Sequence, residues 1–244
     1  MDATIQEASA TPVLPANAIA DGAGFKANAI APGSIVSIFG SGLAGAVLQV
    51  SPTGALPASL FDASVTFNNI SAPLYYVSPT QIDAQVPFEL TPGPVTVQVW
   101  RNLAVSASQV VNLLPAAPAI LTVNQQGTGA GLVFHAADST LVTAASPAKV
   151  GETLFIYCTG LGALKTPLKS GQLPPSPPPD TVNTPQVTIG GVTALPALSG
   201  AAPGYVGLYQ LGVQVPANTA KGNTVAVTLA VGEVSSNAVT IAVQ

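Results

Sequence analysis

The sequence predicts an all-β chain folded as two tandem antiparallel β-sandwiches, and three observations carry that expectation. Short runs alternate apolar and polar residues with the period of a strand. Charged residues make up only 7% of the 244 positions, where roughly 25% is usual. Blocks of the first half recur, in the same order, in the second. Charge this sparse leaves too few Lys, Glu and Arg to solvate the outer faces of long helices or to extend a disordered chain. Apolar residues, at 48%, suffice for a sizeable core, and 23 Gly with 23 Pro mark many tight connections.

Residues 1–24 read as a leader, in which Ala3-Thr4-Ile5-Gln6 is expected to add as a strand to the first sandwich or to a neighbouring molecule. The next block, GSIVSIFGSGL from Gly33, recurs as GETLFIYCTGL from Gly151, a shift of 118 that keeps Gly, Ile, Gly and Leu. VTFNNI from Val65 returns as VTIGGV from Val187, a shift of 122. QIDAQVP from Gln81 returns as QLGVQVP from Gln210, and VSASQVV from Val105 as VSSNAVT from Val234, both shifted by 129. The shift grows only across loop-like stretches, as expected of two copies of one fold. The modules are therefore placed at 25–117 and 118–244.

Within the blocks, Ile82, Ala84 and Val86 alternate with Gln81, Asp83 and Gln85, and Val95, Val97 and Val99 with Thr96, Gln98 and Trp100. Val225, Val227 and Leu229 do the same in the second half. One face of each strand should pack inward and the other meet solvent. Asn68-Asn69, Thr91-Pro92-Gly93-Pro94, Gly190-Gly191, Lys221-Gly222-Asn223 and Val231-Gly232-Glu233 supply the turns between them. Short strands at this spacing predict an immunoglobulin-like sandwich in each module, without the Cys…Trp…Cys signature of antibody domains.

The stretches APGSIVSIFGSGL, APLYYVSPTQIDAQVPFE, PAAPAIL, YCTGLG, PGYVGLYQLGVQVP and VSSNAVTIAVQ resemble a family of uncharacterised C-terminal domains abundant in Solibacter and other acidobacteria. The resemblance runs from about Asn17 to Gln244. It implies a domain of the kind found at the C-terminal end of larger secreted proteins, similar to the IPT/TIG immunoglobulin-like modules of the cell surface. It implies no activity, ligand or catalytic residue, and the chain departs from the usual setting in having no large upstream region.

Six basic against ten acidic residues, a net charge of −4, offer no footprint for nucleic acid and no polybasic patch for anionic lipid. Apolar runs are broken well before the roughly 18 residues of a membrane helix, and no basic segment leading into an apolar run marks a secretory signal. One Cys excludes an internal disulfide and leaves the compartment to composition, whose scarce charge and abundant Ala, Val, Thr, Ser, Gly and Pro suit a secreted β-module.

Candidate chemistry is thin. His135 with Asp138 three residues on suggests a general base with a Ser nucleophile, against a hairpin whose solvated turn the two residues straddle. Cys158 shares the face of Leu154 and Ile156 and reads as a small core residue. Nitrogen and sulfur ligands are too few for zinc, and Asp62, Asp83, Glu89 and Asp180 would have to converge to hold calcium without a D-x-D-x-D-G loop. Leu173–Asp180, rich in Pro, reads as a polyproline-II stretch, either a docking motif or a stiff loop. Asn69-Ile70-Ser71 matches a glycosylation sequon by coincidence. Strict alternation sends Trp100 outward beside Arg101, and Tyr75 adds a second aromatic; the alternative is that a bulge or the neighbouring module covers the indole.

These readings converge on a non-enzymatic extracellular structural or adhesion module pair without cofactors. It would serve as a rigid spacer, bind an extracellular protein or polysaccharide, or self-assemble through edge strands that little charge repulsion protects. The runner-up is a carbohydrate-binding accessory module using Trp100, Arg101 and Tyr75. A third reading is an acyl-transfer enzyme centred on His135.

Overall fold

The computed structural model describes residues 10–244, so the expected Ala3–Gln6 strand lies outside the described residues. The chain is all-β, with no helix among those residues, and its strands form four antiparallel sheets. In the first sheet Ile35–Phe39 and Gln81–Gln85 lie at the centre, with Ile19–Asp21 outside the former and Leu74–Val77, then Leu48–Gln49, outside the latter. Part of the expected leader is thus a strand of this sheet, held because Ala18 and Ile19 are buried. In the second sheet Gly93–Arg101 pairs with Ala63–Phe67, and the short strands Ala104–Val105, Gln109–Leu113, Ser59–Leu60 and Ile70–Ser71 flank the pair.

The third and fourth sheets use the later residues in a corresponding order. Thr153–Thr159 pairs with Tyr209–Gln214, flanked by Ala119–Ile120, Val133–His135 and Leu198–Ala201. Gln186–Ile189 pairs with Gly222–Val231, flanked by Val192–Ala194, Val234–Ser235 and Val239–Val243.

The alternation seen in the sequence decides what each sandwich buries. Val36, Ile38, Ile82 and Ala84 from one sheet meet Val65, Phe67, Val97 and Val99 from the other in one fully buried cluster. Leu154, Ile156, Leu211 and Val213 meet Val187, Ile189, Val227 and Leu229 in a second. Each such large apolar side chain contributes about 1.5–3 kcal/mol relative to exposure, which makes the inward face the dominant constraint on register.

Local devices recur in space. The Ala63–Phe67 and Ile70–Ser71 strands turn through Asn68 and Asn69 at φ 48° and 64°; the corresponding turn uses Gly190 and Gly191 at 59° and 81°. Both pairs fit a two-residue hairpin that needs φ > 0 twice. The Ser106 hydroxyl accepts the Val99 N–H at 3.0 Å and donates to the Ala107 carbonyl; Ser236 does the same to Leu229, at 2.9 Å, and Asn237. From Ser106 to Ser236 is a shift of 130, and the same shift relates the paired strands around them, Arg101 with Ala104 to Val231 with Val234 and Val95 with Val111 to Val225 with Ile241, so VSASQVV and VSSNAVT correspond one residue away from the 129 at which their sequences align.

The expectation that every polar strand face meets solvent fails on the first sheet. Gln85 is 1% exposed because the second half of the chain covers it. Its amide oxygen accepts the Gly171 N–H at 2.7 Å. Around it the Ile35 N–H donates to the Thr159 hydroxyl at 2.9 Å, the Tyr75 hydroxyl to the Val206 carbonyl at 3.3 Å, and the Phe88 N–H to the Ser170 hydroxyl at 2.7 Å. Backbone bonds from Leu56 to Gly171 and from Val206 to Pro52 reinforce the junction, and Leu56, Tyr75 and Val206 form a small apolar cluster inside it. Phe88 packs across the junction against the second core.

Candidate functional site

Outward side chains of the first sheet lie in rows about 7 Å apart, two residues along each strand. Cross-strand register puts Ile35 opposite Gln85, Ser37 opposite Asp83 and Phe39 opposite Gln81. In the first row Gln85 is sealed in the junction, while Ile35 is half-buried and also lines the cleft. The next two rows open into a cleft of about 770 Å³, whose far wall is formed by residues 121–126 with Leu132 and Leu208 of the second half.

Among the described residues Asp83 is the cleft's one carboxylate. Its Oδ1 accepts the Ser37 hydroxyl at 2.6 Å and the Gln81 amide N–H at 2.8 Å. Desolvation by burial raises its carboxyl above its ordinary value, outweighing those two bonds, which pull the other way. Phe25 and Phe39, with ring centroids 6.2 Å apart and planes tilted by 49°, line the same cleft.

A second concavity, of about 500 Å³, surrounds His135. The Asp138 partnership expected from sequence is replaced: Asp138 accepts from Thr140 on an exposed turn, and His135 Nδ1 meets the Glu152 carboxylate. Nε2 lies 3.1 Å from the Ser146 carbonyl and 3.3 Å from its hydroxyl. Hydroxyl, imidazole and carboxylate in a row is the arrangement of nucleophilic catalysis. Here, however, the nearer partner of Nε2 is a carbonyl, which can only accept, so Nε2 donates and is not free to take a proton. Burial lowers the His135 pKa, but the Glu152 and Ser146 bonds outweigh it and hold the ring above its ordinary value. Glu152 also accepts the N–H of Lys149, three residues earlier, at 2.8 Å, as Ser34 accepts that of Ala31 at 3.1 Å; each acceptor stands one residue before its strand. The cluster therefore ties a turn to a strand.

The aromatic surface expected from sequence is not assembled. Tyr75 is 8% exposed, in the junction of the first sheet, because a register shift between Leu74 and Tyr76 turns it toward Val206. Trp100 is half-buried in the second sheet between Ser64 and Val105, and its Nε1 is buried without a partner among the described residues. Arg101 is no free cation beside it, since its guanidinium bonds Asp62 at 2.8 Å. Burial raises the Asp62 carboxyl, yet the Gly45 N–H and Arg101 together hold it below its ordinary value. Asp62, Asp83, Glu89 and Asp180 do not converge: their partners are Arg101, Ser37 with Gln81, Ser170, and Lys165. Among the described residues no three His, Cys, Asp or Glu group together. Cys158 is fully buried in the second core, and burial pushes its thiol up.

Aromatic contact appears where sequence reasoning did not look. Phe134 and Tyr157 pack edge to face at 5.5 Å, and Tyr157 with Tyr205 at 6.2 Å. Tyr157 follows Phe39 by the 118-residue shift, the one signal that pointed to it. The Pro-rich stretch ends by docking: the Pro179 carbonyl accepts the Ala201 N–H at 3.0 Å and Asp180 bridges Gly200, at the edge of the third sheet. Among the described residues no helix is long and apolar enough to cross a membrane.

No protein-family model and no curated protein matches the chain. Among solved structures it is similar to SGBP-B of the Bacteroides ovatus mixed-linkage glucan utilization locus, in complex with a mixed-linkage heptasaccharide. That likeness has 11% identity and a TM-score of 0.34 over 89% of this chain and 43% of that one. It is also similar to the plexin A4 extracellular region, at 12% identity and TM-score 0.31 over 95% and 18%. A third is SGBP-B from a complex xyloglucan utilization locus in Bacteroides uniformis, at 13% identity and TM-score 0.29 over 95% and 49%. The chain spans less than half the length of each. Likeness this distant carries no inference about ligand or activity.

Proposed function

We propose that the chain is a non-enzymatic, extracellular structural or adhesion unit: two immunoglobulin-like modules, 25–117 and 118–244, locked into one rigid spacer. The observation that carries this reading is the buried Gln85 bond to Gly171, surrounded by the Ile35, Tyr75 and Phe88 bonds between the halves. A flexible tether between independent modules has no use for a buried polar lock, whereas a spacer that sets a distance does. The His135 cluster, used as a turn tie, supports the non-enzymatic part. Charge-poor composition and the resemblance to domains of secreted proteins support the extracellular part. Small-angle X-ray scattering of the whole chain tests the spacer. A rigid, elongated or compact particle whose distance distribution is unchanged between low and high salt is expected; scattering of two bodies on a loose tether would refute it.

A further inference from the structure

We propose that the cleft between the two halves binds a neutral, hydroxyl-rich ligand, a segment of a glycan chain, with Asp83 as the acceptor that orients it. This goes beyond the spacer reading and does not depend on it.

Asp83 is the unusual group. Both of its hydrogen bonds end on Oδ1, while Oδ2 receives no donor from the described residues yet is not sealed from solvent. No described Lys, Arg or His pairs with it. A carboxylate largely removed from water without a cation is costly, and folding alone gives no reason for one at this place in the sheet. The corresponding position in the second half, opposite Phe155, is Gly212.

The surroundings select among donors. A phosphate, sulfate or uronic acid would be repelled by Asp83. A divalent metal wants several anionic oxygens, and the described residues bring no second carboxylate to the cleft. Hydroxyl groups remain. They donate to Oδ2 and exchange bonds in both directions with the Gln81 amide on one wall and the Asn124-Gln125-Gln126 run on the other, since each amide both donates and accepts. Phe25 and Phe39 supply the flat apolar surface that the C–H face of a sugar ring covers. A mixed apolar and polar concavity of about 770 Å³ has the size of small-ligand sites and exceeds the needs of one pyranose ring, which favours a chain segment.

Isothermal titration of the intact protein with cellohexaose, laminarihexaose, mannohexaose and xylohexaose tests this, with 1,6-diaminohexane and calcium chloride as parallel arms. At least one hexasaccharide is expected to bind saturably. Asp83→Asn and Phe39→Ala should each weaken it about ten-fold or more, as loss of a charge-assisted bond or an aromatic contact does. Trp100→Ala, in the other sheet, should leave it unchanged. Asn124→Ala probes the opposite wall, and thermal melting confirms that each variant is folded. Asp83→Asn relieves the burial of a charge and should melt no lower than the parent. Absence of saturable sugar binding at millimolar concentrations overturns the proposal. So does sugar binding indifferent to Asp83→Asn, whatever Asn124→Ala does, or Asp83-dependent binding of the diamine or calcium alone.

Discussion

Replacing Gln85 by Met isolates the polar lock at the junction. Met keeps the unbranched length of Gln and loses both hydrogen-bonding groups, so the packing is preserved while the Gly171 N–H, donated at 2.7 Å to the Gln85 oxygen, loses its partner. Both residues are buried, and the weaker bond from the Gln85 amide to the Gly33 carbonyl, at 3.5 Å, is lost as well. A buried donor left unpaired costs about 1–3 kcal/mol, most of it from the Gly171 N–H. For a chain of this length unfolding as one unit, that lowers Tm by roughly 2–4 °C per kcal/mol. Differential scanning calorimetry reads this directly, and it reads more than Tm. If the lock couples the halves, the variant should broaden or split its transition, with the calorimetric enthalpy exceeding the van't Hoff value. A Gln85→Met protein that melts within about 1 °C of the parent, in one equally sharp transition, would refute the reasoning, since an effect that small lies within that of an ordinary surface change.

Other outcomes follow from single sites. His135 has its pKa raised in the folded state, so its contribution is complete below the unfolded value near 6.5 and is lost as pH rises through the higher folded value. Urea unfolding from pH 6 to 8.5 should therefore show a loss of stability that His135→Gln abolishes; parallel slopes for the two proteins would rule the tie out. Cys158, fully buried with its thiol pushed up, should resist a thiol-reactive disulfide reagent in the native state and react at once in denaturant. Gly191 sits at φ 81° with open space where a Cβ would go, so Gly191→Ala should cost about 1–2 kcal/mol from backbone conformation alone, measured by denaturant titration.

The inward faces were legible because alternation is a property of a few consecutive residues. Val95, Val97 and Val99, and Ile82 with Ala84, are core residues on that pattern alone. Cys158 was placed in the core by the same rule and lies there. The rule failed for outward residues. Gln81, Asp83 and Gln85 look equivalent in sequence, yet Gln85 is sealed, while Asp83 and Gln81 line a cleft. Which outward residue is covered depends on segments 80 or more positions away, and no local period encodes that contact. Tyr75 was misjudged for a similar reason, since the register shift beside it turns the ring into the junction. His135 is chemically notable in the sequence, but its partners Glu152 and Ser146 come from the turn before a neighbouring strand and from a loop, so the adjacent Asp138 is a poor guide.

The amino-acid order by itself therefore settled that this is an all-β chain and which side chain of each alternating pair is apolar and inward, because hydrophobic burial acts on a pattern two residues long. The tertiary structure alone decided the rest. It set one sheet's outer face against the other half of the chain, turned the ordinary polar residue Gln85 into a lock, and left Asp83 in an open cleft with no cation among the described residues. The physical reason is that desolvation and hydrogen-bond partnership are properties of what lies across a gap, which distant residues supply.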